Sequence, residues 1–320
     1  MSDRSYLDFE QPLAELDEKI AALHAQAEAE NLDMTSEIKA LEDRGAKIEK
    51  DIFNNLTRWQ KYQLSRHPQR PYSLDYIDLI TTEFVELHGD RFCGDDQAIV
   101  GGLAYFEGQP IMVIGQQKGR NTNENLKRNF GLPHPEGYRK ALRLMRLAAK
   151  FNRPVLCLID TPGAFPGLAS EQRSVSEAIA RNLFEMATFP IPIVVAIIGE
   201  GASGGALGIG VGDQILMLEN AWYSVINPES CSLILWRNRD KRMEAAEAMK
   251  ITAEDLIELG IIDRIVPEPF GGAHRDFAKA AHNLKTAISE ALKEIGEIPA
   301  ENLPQMRVDK FAKMGVWDES

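Results

Sequence analysis

Pro192-Ile-Val-Val-Ala-Ile-Ile-Gly-Glu-Gly-Ala-Ser-Gly-Gly-Ala-Leu-Gly-Ile-Gly-Val-Gly-Asp213 is the stretch on which the reading of this chain turns. Residues Ile191 to Ile198 are apolar and rich in β-branched side chains, so they read as a buried strand. The fifteen residues that follow, Gly199 to Asp213, hold seven glycines. Glycine lets backbone N–H groups approach a ligand and permits turns that a Cβ forbids. Gly199, Gly201 and Gly204 spell G-x-G-x-x-G, a dinucleotide fingerprint. Gly201, Ser203 and Gly205 spell G-x-S-x-G, a hydrolase nucleophile elbow. Gly204-Gly205-Ala206, at the start of a helix, are backbone amides placed to hold an oxyanion. A fourth reading is tight helix–strand packing with no ligand.

The dinucleotide reading gains from Glu219, twenty residues after Gly199 and near where a ribose-binding acid belongs. It loses because the crossover helix would carry Gly208, Gly210 and Gly212, each costing roughly 1 kcal/mol against alanine. The elbow reading makes Ser203 the nucleophile, with Asp240 or Asp263 and His274 as partners, but no spacing singles these out. The oxyanion reading needs no titratable side chain, and the run has no His or Cys. A helix N-terminus also adds partial positive charge. Spacing ranks the amide reading first and leaves the others open.

At 320 residues and 44% hydrophobic content the chain suits one large or two modest folded domains. No apolar run reaches the ~18 residues of a membrane span, and Met1-Ser-Asp-Arg-Ser-Tyr6 lacks a secretory pattern. A cytoplasmic protein without membrane contact is expected. Cys93, Cys157 and Cys231 lie far apart, and the six histidines show no H-x-x-x-H spacing, so no metal site is expected in this chain. The net charge of −12 argues against non-specific nucleic-acid binding. Between Lys118 and Arg153, however, ten Lys/Arg face only Glu124 and Glu136. That stretch is either a solvated helix face or a surface for a polyanion or an acidic partner.

Residues 10–62 carry apolar 3/4 seams (Leu13, Leu16, Ile20, Leu23; Ile38, Leu41, Gly45, Ile48, Ile52) around a polar break at 31–36, which predicts a helical hairpin. We assign residues 1–65 to this unit and expect it to serve subunit assembly. A helix is predicted from Ser73, as N-cap, to about Leu87, then a hairpin of Ile99–Phe106 and Ile111–Gln116. The polar loop 117–136 is long enough to be functional, and an amphipathic helix follows to Phe151. Strand Pro154–Asp160, loop Thr161-Pro-Gly-Ala-Phe-Pro-Gly167 and a helix to about Ala187 repeat as strand, glycine run and helix. Such repetition predicts an α/β fold with parallel pairing and ligands beyond the strands' carboxyl ends. Strands Gln214–Leu218, Trp222–Ile226 and Ile261–Val266 and a helix from Ala278 to Ile295 complete the expected domain, residues 66–296. Residues 297–320 read as a tail.

The run Pro192–Leu207, with Asp213 and Asn227-Pro-Glu229, resembles the crotonase superfamily. More narrowly, the chain resembles the family of bacterial acetyl-CoA carboxylase carboxyltransferase α subunits. The resemblance rests also on Leu7-Asp-Phe-Glu-Gln-Pro12, Arg66-His-Pro-Gln-Arg-Pro-Tyr72, Gln117-Lys-Gly-Arg120, Arg128-Asn-Phe-Gly131, Pro135–Met145, Asp160–Gly167, Ser176–Leu183 and Pro269-Phe-Gly-Gly-Ala-His-Arg275. Ala202 and Gly208 stand where the family pattern has Gly and Ala.

This resemblance implies a crotonase-like spiral of ββα units and transfer of a carboxyl group from carboxybiotin to acetyl-CoA, giving malonyl-CoA for fatty acid synthesis. It implies two oxyanion holes, one on the thioester enolate and one on the biotin ureido oxygen. Gly205 and Ala206 are expected to serve the biotin side, with Gly204 shaping the turn. The liberated biotin nitrogen is expected to take the methyl proton. Thr161, Pro162, Gly163, Ala164 and Phe165 are expected to wall the cleft, with Lys118 and Arg120 as weaker candidates for anchoring an anion. A β subunit is expected to supply the other hole and much of the CoA site, in an α2β2 assembly. A biotin carboxyl carrier protein would bear the biotin, biotin carboxylase would complete the system with ATP bound elsewhere in the complex, and zinc would belong to the β subunit only. Ala248-Met-Lys-Ile251 resembles a biotin-attachment tetrapeptide, but Lys241–Met249 reads as a helix, so Lys250 is not expected to carry biotin. The competing functions are a self-sufficient crotonase-type hydratase or isomerase and a Ser203 hydrolase.

Overall fold

The computed structural model describes residues 5–30 and 32–315. The 3/4 seams form α1 (Gln11–Glu30) and α2 (Thr35–Asn54). They close tightly where Gly45 meets Leu16: a Cβ there would stand 2.9 Å from Leu16 Cδ2. Asn31, in the predicted break, lies outside the described residues. The hairpin is tied to the rest of the chain by Glu10, fully buried and 2.9 Å from Arg275, and by Phe53, edge-on to Phe270 at 5.7 Å.

Next come α3 (Arg58–Ser65), capped by Thr57, and α4 (Ser73–Ile80). The predicted helix to Leu87 stops short, because Thr82–Glu86 is a strand, β1. Ile77, Ile80, Phe84 and Leu87 mimic helical spacing, but pairing with the neighbouring strand decides the outcome. Ser73 is not the N-cap either. Tyr72 holds that position, and Ser73 Oγ donates to the Gln116 carbonyl at 2.6 Å.

The hairpin of β2 (Ile99–Phe106) and β3 (Gln109–Gln116) turns at Glu107-Gly108, both at positive φ. A short α5 (Thr122–Lys127) interrupts the polar loop before α6 (Pro135–Lys150), β4 (Val155–Thr161), α7 (Leu168–Gln172) and α8 (Val175–Thr188). The helix expected over 170–187 is broken at Ser174, which takes a left-handed conformation. Strand β5 (Ile193–Ala202) runs four residues beyond its expected end, so Gly199 and Gly201 are strand residues. It passes into α9 (Ser203–Leu207), only five residues long. Then follow β6 (Gln214–Leu218), β7 (Trp222–Ser224), α10 (Pro228–Trp236), α11 (Arg242–Met249), α12 (Ala253–Glu258), β8 (Arg264–Val266), α13 (Phe277–Gly296) and α14 (Leu303–Ala312).

One sheet runs β1-β2-β3-β4-β5-β6-β8, with β7 beside β5. The first two pairings are antiparallel and the others parallel, as the strand–loop–helix repetition predicts. β4 and β5 are buried at every residue, which explains their unbroken apolar character. β5 pairs with β6 along Val194–Ile197 and with β7 along Glu200–Ala202, so its end leaves the main sheet.

Residues after 296 correct the expectation of a tail. Arg307 on α14 is fully buried. It donates to Asp213 at 2.8 and 3.0 Å and to the Phe189 and Ile191 carbonyls, clamping the start of β5. Among the described residues no helix is long and apolar enough to cross a membrane.

Candidate active site

The site lies where β4 and β5 end side by side and their register shifts between Ile159 and Thr161. The irregularity admits a carboxylate. A Cβ on Gly199 would stand 2.5 Å from Asp160 Oδ1, so glycine is required there by close approach. Asp160 Oδ1 accepts the Glu200 N–H at 2.9 Å and the Lys118 ammonium at 2.6 Å. Lys118 also donates to Glu200 Oε1 at 2.7 Å, and Glu200 Oε2 lies 3.1 Å from Arg66, which reaches on to Glu229 at 3.1 Å. Burial opposes the charge on Lys118, but the attraction of Asp160 and Glu200 outweighs it and holds the ammonium above its usual range. Burial pushes Asp160 up despite Lys118.

Lys118 and Arg120 are therefore engaged within the chain. Arg120 pairs with Asp75 and stacks over Tyr72 with its guanidinium 4.7 Å from the ring centroid. Nothing in the local sequence marks Asp160 or Glu200 as a pair, since they lie 40 residues apart, each inside a glycine-containing motif.

The two glycine loops touch. A Cβ on Gly205 would meet the backbone of Gly163 and Ala164 at 2.4 Å, so the 161–167 loop rests on the start of α9. Thr161 Oγ1 donates to the Gly131 carbonyl at 2.6 Å and accepts the Gly163 N–H at 3.1 Å, fixing the loop's first turn. Phe165 lies against His134 with ring centroids 4.2 Å apart. Gly163 and Ala164 are thus packed against Gly205, with Thr161, Pro162 and Phe165 in the same loop.

The helix start is held from behind. The Gly205 carbonyl accepts Gln116 Nε2 at 2.7 Å and the Tyr138 hydroxyl at 3.0 Å. Tyr138 packs on Gly208, where a Cβ would stand 2.7 Å from its ring. Fixing this carbonyl also fixes the Ala206 N–H, which shares its peptide plane. With Ala202 as N-cap, the Gly204 and Gly205 N–H groups belong to the open first turn. Gly204 differs from its neighbours: a Cβ there would meet only Ile179, at 3.8 Å, and its φ is not positive. Neither packing nor backbone strain requires glycine at 204. Gln116 and Tyr138 were missed in the sequence because they lie 89 and 67 residues from the carbonyl they hold.

The competing readings lose their geometry. Ser203 takes φ 60°, as an elbow serine does. But among the described residues His274 stacks on His67 at 3.9 Å and Asp263 pairs with Lys310, so these two expected partners are engaged elsewhere than at Ser203. A five-residue α9 is too short for a dinucleotide crossover, and Glu219 accepts the Glu268 N–H at 3.1 Å. Lys250 follows α11 in a left-handed conformation and sits on no hairpin tip.

Comparison with known proteins agrees with this geometry. Residues 6–315 match the family described as acetyl co-enzyme A carboxylase carboxyltransferase-like. A relative from Chlorobium luteolum named acetyl-coenzyme A carboxylase carboxyl transferase subunit alpha is 55% identical, over 100% of this chain and 99% of its own length. One of the same name from Methylococcus capsulatus is 57% identical over 99% of each. Among solved structures, transcarboxylase 12S superposes with a TM-score of 0.58 at 17% identity, over 70% of this chain and 41% of that one. A Pseudomonas malonate decarboxylase hetero-tetramer in complex with coenzyme A gives 0.56 at 18% identity, over 69% and 89%. The fold is the crotonase-like α/β arrangement, and the chain belongs to the acetyl-CoA carboxylase carboxyltransferase α-subunit family.

Proposed function

We propose that this chain supplies one half of the carboxyltransferase site, with the open amides of Gly204 and Gly205 as the oxyanion hole on the carboxybiotin side and Ala206, whose N–H closes the first turn on Ala202, holding them in place. The family's reaction moves a carboxyl group from carboxybiotin to acetyl-CoA to give malonyl-CoA. The observation that carries the reading is the open first turn of α9, uncrowded over Gly204 and braced by Gln116 and Tyr138. The donor set fits a neutral ureido group, because the open donors are backbone amides and the nearby carboxylates Asp160 and Glu200 are already paired with Lys118 and Arg66. Carboxybiotin supplies the transferable carboxyl group and a ureido oxygen on which charge grows as that group leaves.

The chain's part is to hold its donors still, since preorganised amides need no reorienting as charge develops. The Thr161–Phe165 loop walls the approach. A β subunit would complete the site with the enolate hole and most of the CoA contacts, in an α2β2 assembly, and zinc would reside there. A separate biotin carboxyl carrier protein would deliver the biotin after loading by biotin carboxylase. The 1–65 hairpin would contribute to assembly, and the complex would work in the cytoplasm.

Mixing the chain with its β subunit and assaying malonyl-CoA from acetyl-CoA and carboxybiotin tests the half-site; full turnover by the chain alone would refute it. Gly204→Val tests the hole, because its Cβ would meet nothing closer than Ile179, at 3.8 Å, and Gly204→Ala, which adds that Cβ alone, serves as the control for folding. Turnover is expected to fall on the order of 100-fold, as when an oxyanion donor is lost, with the melting temperature unchanged. Wild-type turnover in Gly204→Val would overturn the assignment.

A further inference from the structure

A second cavity lies away from the transfer site, between the 90–94 loop, α6 and α8. It has a volume of about 580 Å³ and is lined by Arg91, Arg139, Arg143, Arg146 and Arg181 against only Asp90 and Glu177 as acids. In a chain of net charge −12, this local excess of guanidinium groups runs against the average.

The excess is cancelled only in part: Glu185, outside the lining, pairs with Arg146 and Arg181 but not with Arg91 or Arg143. Arg143 donates to the Gly89 and His88 carbonyls at 2.9 and 3.3 Å, and Arg91 donates to the His88 carbonyl at 3.0 Å. Neither pairs with a carboxylate among the described residues. The acids nearby are largely committed elsewhere, although Asp90 Oδ2 is buried without a hydrogen-bond partner. Asp90 Oδ1 accepts the N–H groups of Phe92, Cys93 and Gly94, and Asp95 is held by Lys140 at 2.6 Å and by the Gly89 N–H. Arg146 and Arg181 share the single carboxylate of Glu185. Arg139 is 3.8 Å from Glu177 and lies over the Phe92 ring at 5.4 Å.

The floor is unsatisfied as well. Asn182 is fully buried and lines the cavity. Its amide nitrogen donates to the Tyr138 and Gly208 carbonyls, and its Oδ1, an acceptor, is left for a ligand hydroxyl or water, whereas Arg139 Nη1 is a buried donor without a hydrogen-bond partner that a phosphate oxygen would satisfy. Planar guanidinium forks with no carboxylate match the bidentate geometry of phosphate oxygens. The volume falls within the range of small-molecule pockets.

We propose that this groove binds a phosphate-bearing small molecule through its phosphate or pyrophosphate oxygens, with Arg91 and Arg143 as the principal ligands. Arg139 also donates to the Arg173 carbonyl on the turn between α7 and α8. A ligand held there would therefore bear on the segment that follows the 161–167 loop.

The test is calorimetric titration of inorganic pyrophosphate into the chain assembled with its β subunit, at low ionic strength. Saturable binding of one pyrophosphate per chain is expected, weakened at least tenfold by Arg143→Gln and by Arg91→Ala. Arg264→Ala, on β8 and outside the groove where Arg264 pairs with Glu290 and Glu294 of α13, should change it less than twofold. Arg143→Lys keeps the charge but loses the fork, and its loss should be intermediate; it also serves should Arg143→Gln fold poorly. Absence of binding, or binding indifferent to both arginines, would overturn the proposal. So would pyrophosphate binding seen in the isolated chain but lost on assembly, which would make this face a subunit contact.

Discussion

Two groups of cations drawn partly from one basic stretch have opposite relations to their counter-ions. Lys118 and Lys140 are buried and matched. Lys118 sits between Asp160 and Glu200, and Lys140, without exposure, bonds Asp95 and the Asp96 carbonyl. Arg139, Arg143 and Arg146, on the same helix as Lys140 but turned to the groove beside α8, outnumber the acids around them. Adjacent positions on α6 thus carry a structural cation and a surplus one. The difference is one of desolvation: a buried charge is tolerated only when paired and hydrogen-bonded, whereas a groove open to water can leave a guanidinium without a carboxylate.

The largest test of that comparison removes the matched cation. Lys118→Met leaves Asp160 and Glu200 buried with one counter-ion fewer, although Arg66 still reaches Glu200. Breaking such a pair costs about 3–5 kcal/mol, to be read from urea unfolding. Adding Asp160→Asn to Lys118→Met should recover part of the loss, since the uncompensated charge is then gone. A loss below about 1 kcal/mol, the range of a surface pair, would mean that the triad is not dry.

Much of the fold can be read from local sequence because local forces decide it. β4 and β5 are buried on both faces, so their apolar β-branched runs are unmistakable, and the Glu107-Gly108 turn sets the hairpin. The end of α4 is hidden, because Ile77, Ile80, Phe84 and Leu87 keep helical spacing into a strand. The glycine run is half legible. Its position at a strand end is plain, but most of its glycines answer to distant neighbours: Gly199 to Asp160, Gly201 to Tyr223, Gly205 to the 163–164 backbone, Gly208 to Tyr138 and Gly212 to Val195. Only Gly204 keeps the open space that a ligand loop implies. Lys118 reads as a candidate anion anchor because its carboxylates lie 42 and 82 residues away in the chain.

A smaller effect is expected at the edge between the two groups, where Asp95 serves Lys140. Burial raises the Asp95 carboxyl, but the Lys140 ammonium, the Gly89 N–H and His88 outweigh it and bring it from 3.8 down to about 2. A depressed folded pKa contributes stability that is complete above the unfolded value and lost as pH falls through the folded one. Asp95 should therefore contribute fully above about pH 4 and lose its contribution between about pH 4 and 2. With its side chain 28% exposed, screening limits the contribution to roughly 1–2 kcal/mol. Asp95→Asn should flatten the acid limb of the stability profile and lower stability at neutral pH by at least that amount, since it also leaves the buried Lys140 ammonium without its carboxylate. An unchanged slope between pH 4 and 2 would place the acid sensitivity elsewhere.

The smallest effect belongs to the groove itself. Arg146 and Arg181 both donate to Glu185, so removing one guanidinium leaves the carboxylate with the other and relieves cation crowding. Arg146 is about half exposed, and exposed pairs contribute only ~0–1 kcal/mol. Arg146→Ala is accordingly expected to shift unfolding by less than about 0.5 kcal/mol, and 0.5 M salt should remove what remains. A loss comparable to that of Lys118→Met would dissolve the distinction, because it would show that cations in the groove are as tightly matched as those inside. A gain in stability at low salt would sharpen it, since only a surplus charge is costly to keep when nothing neutralises it.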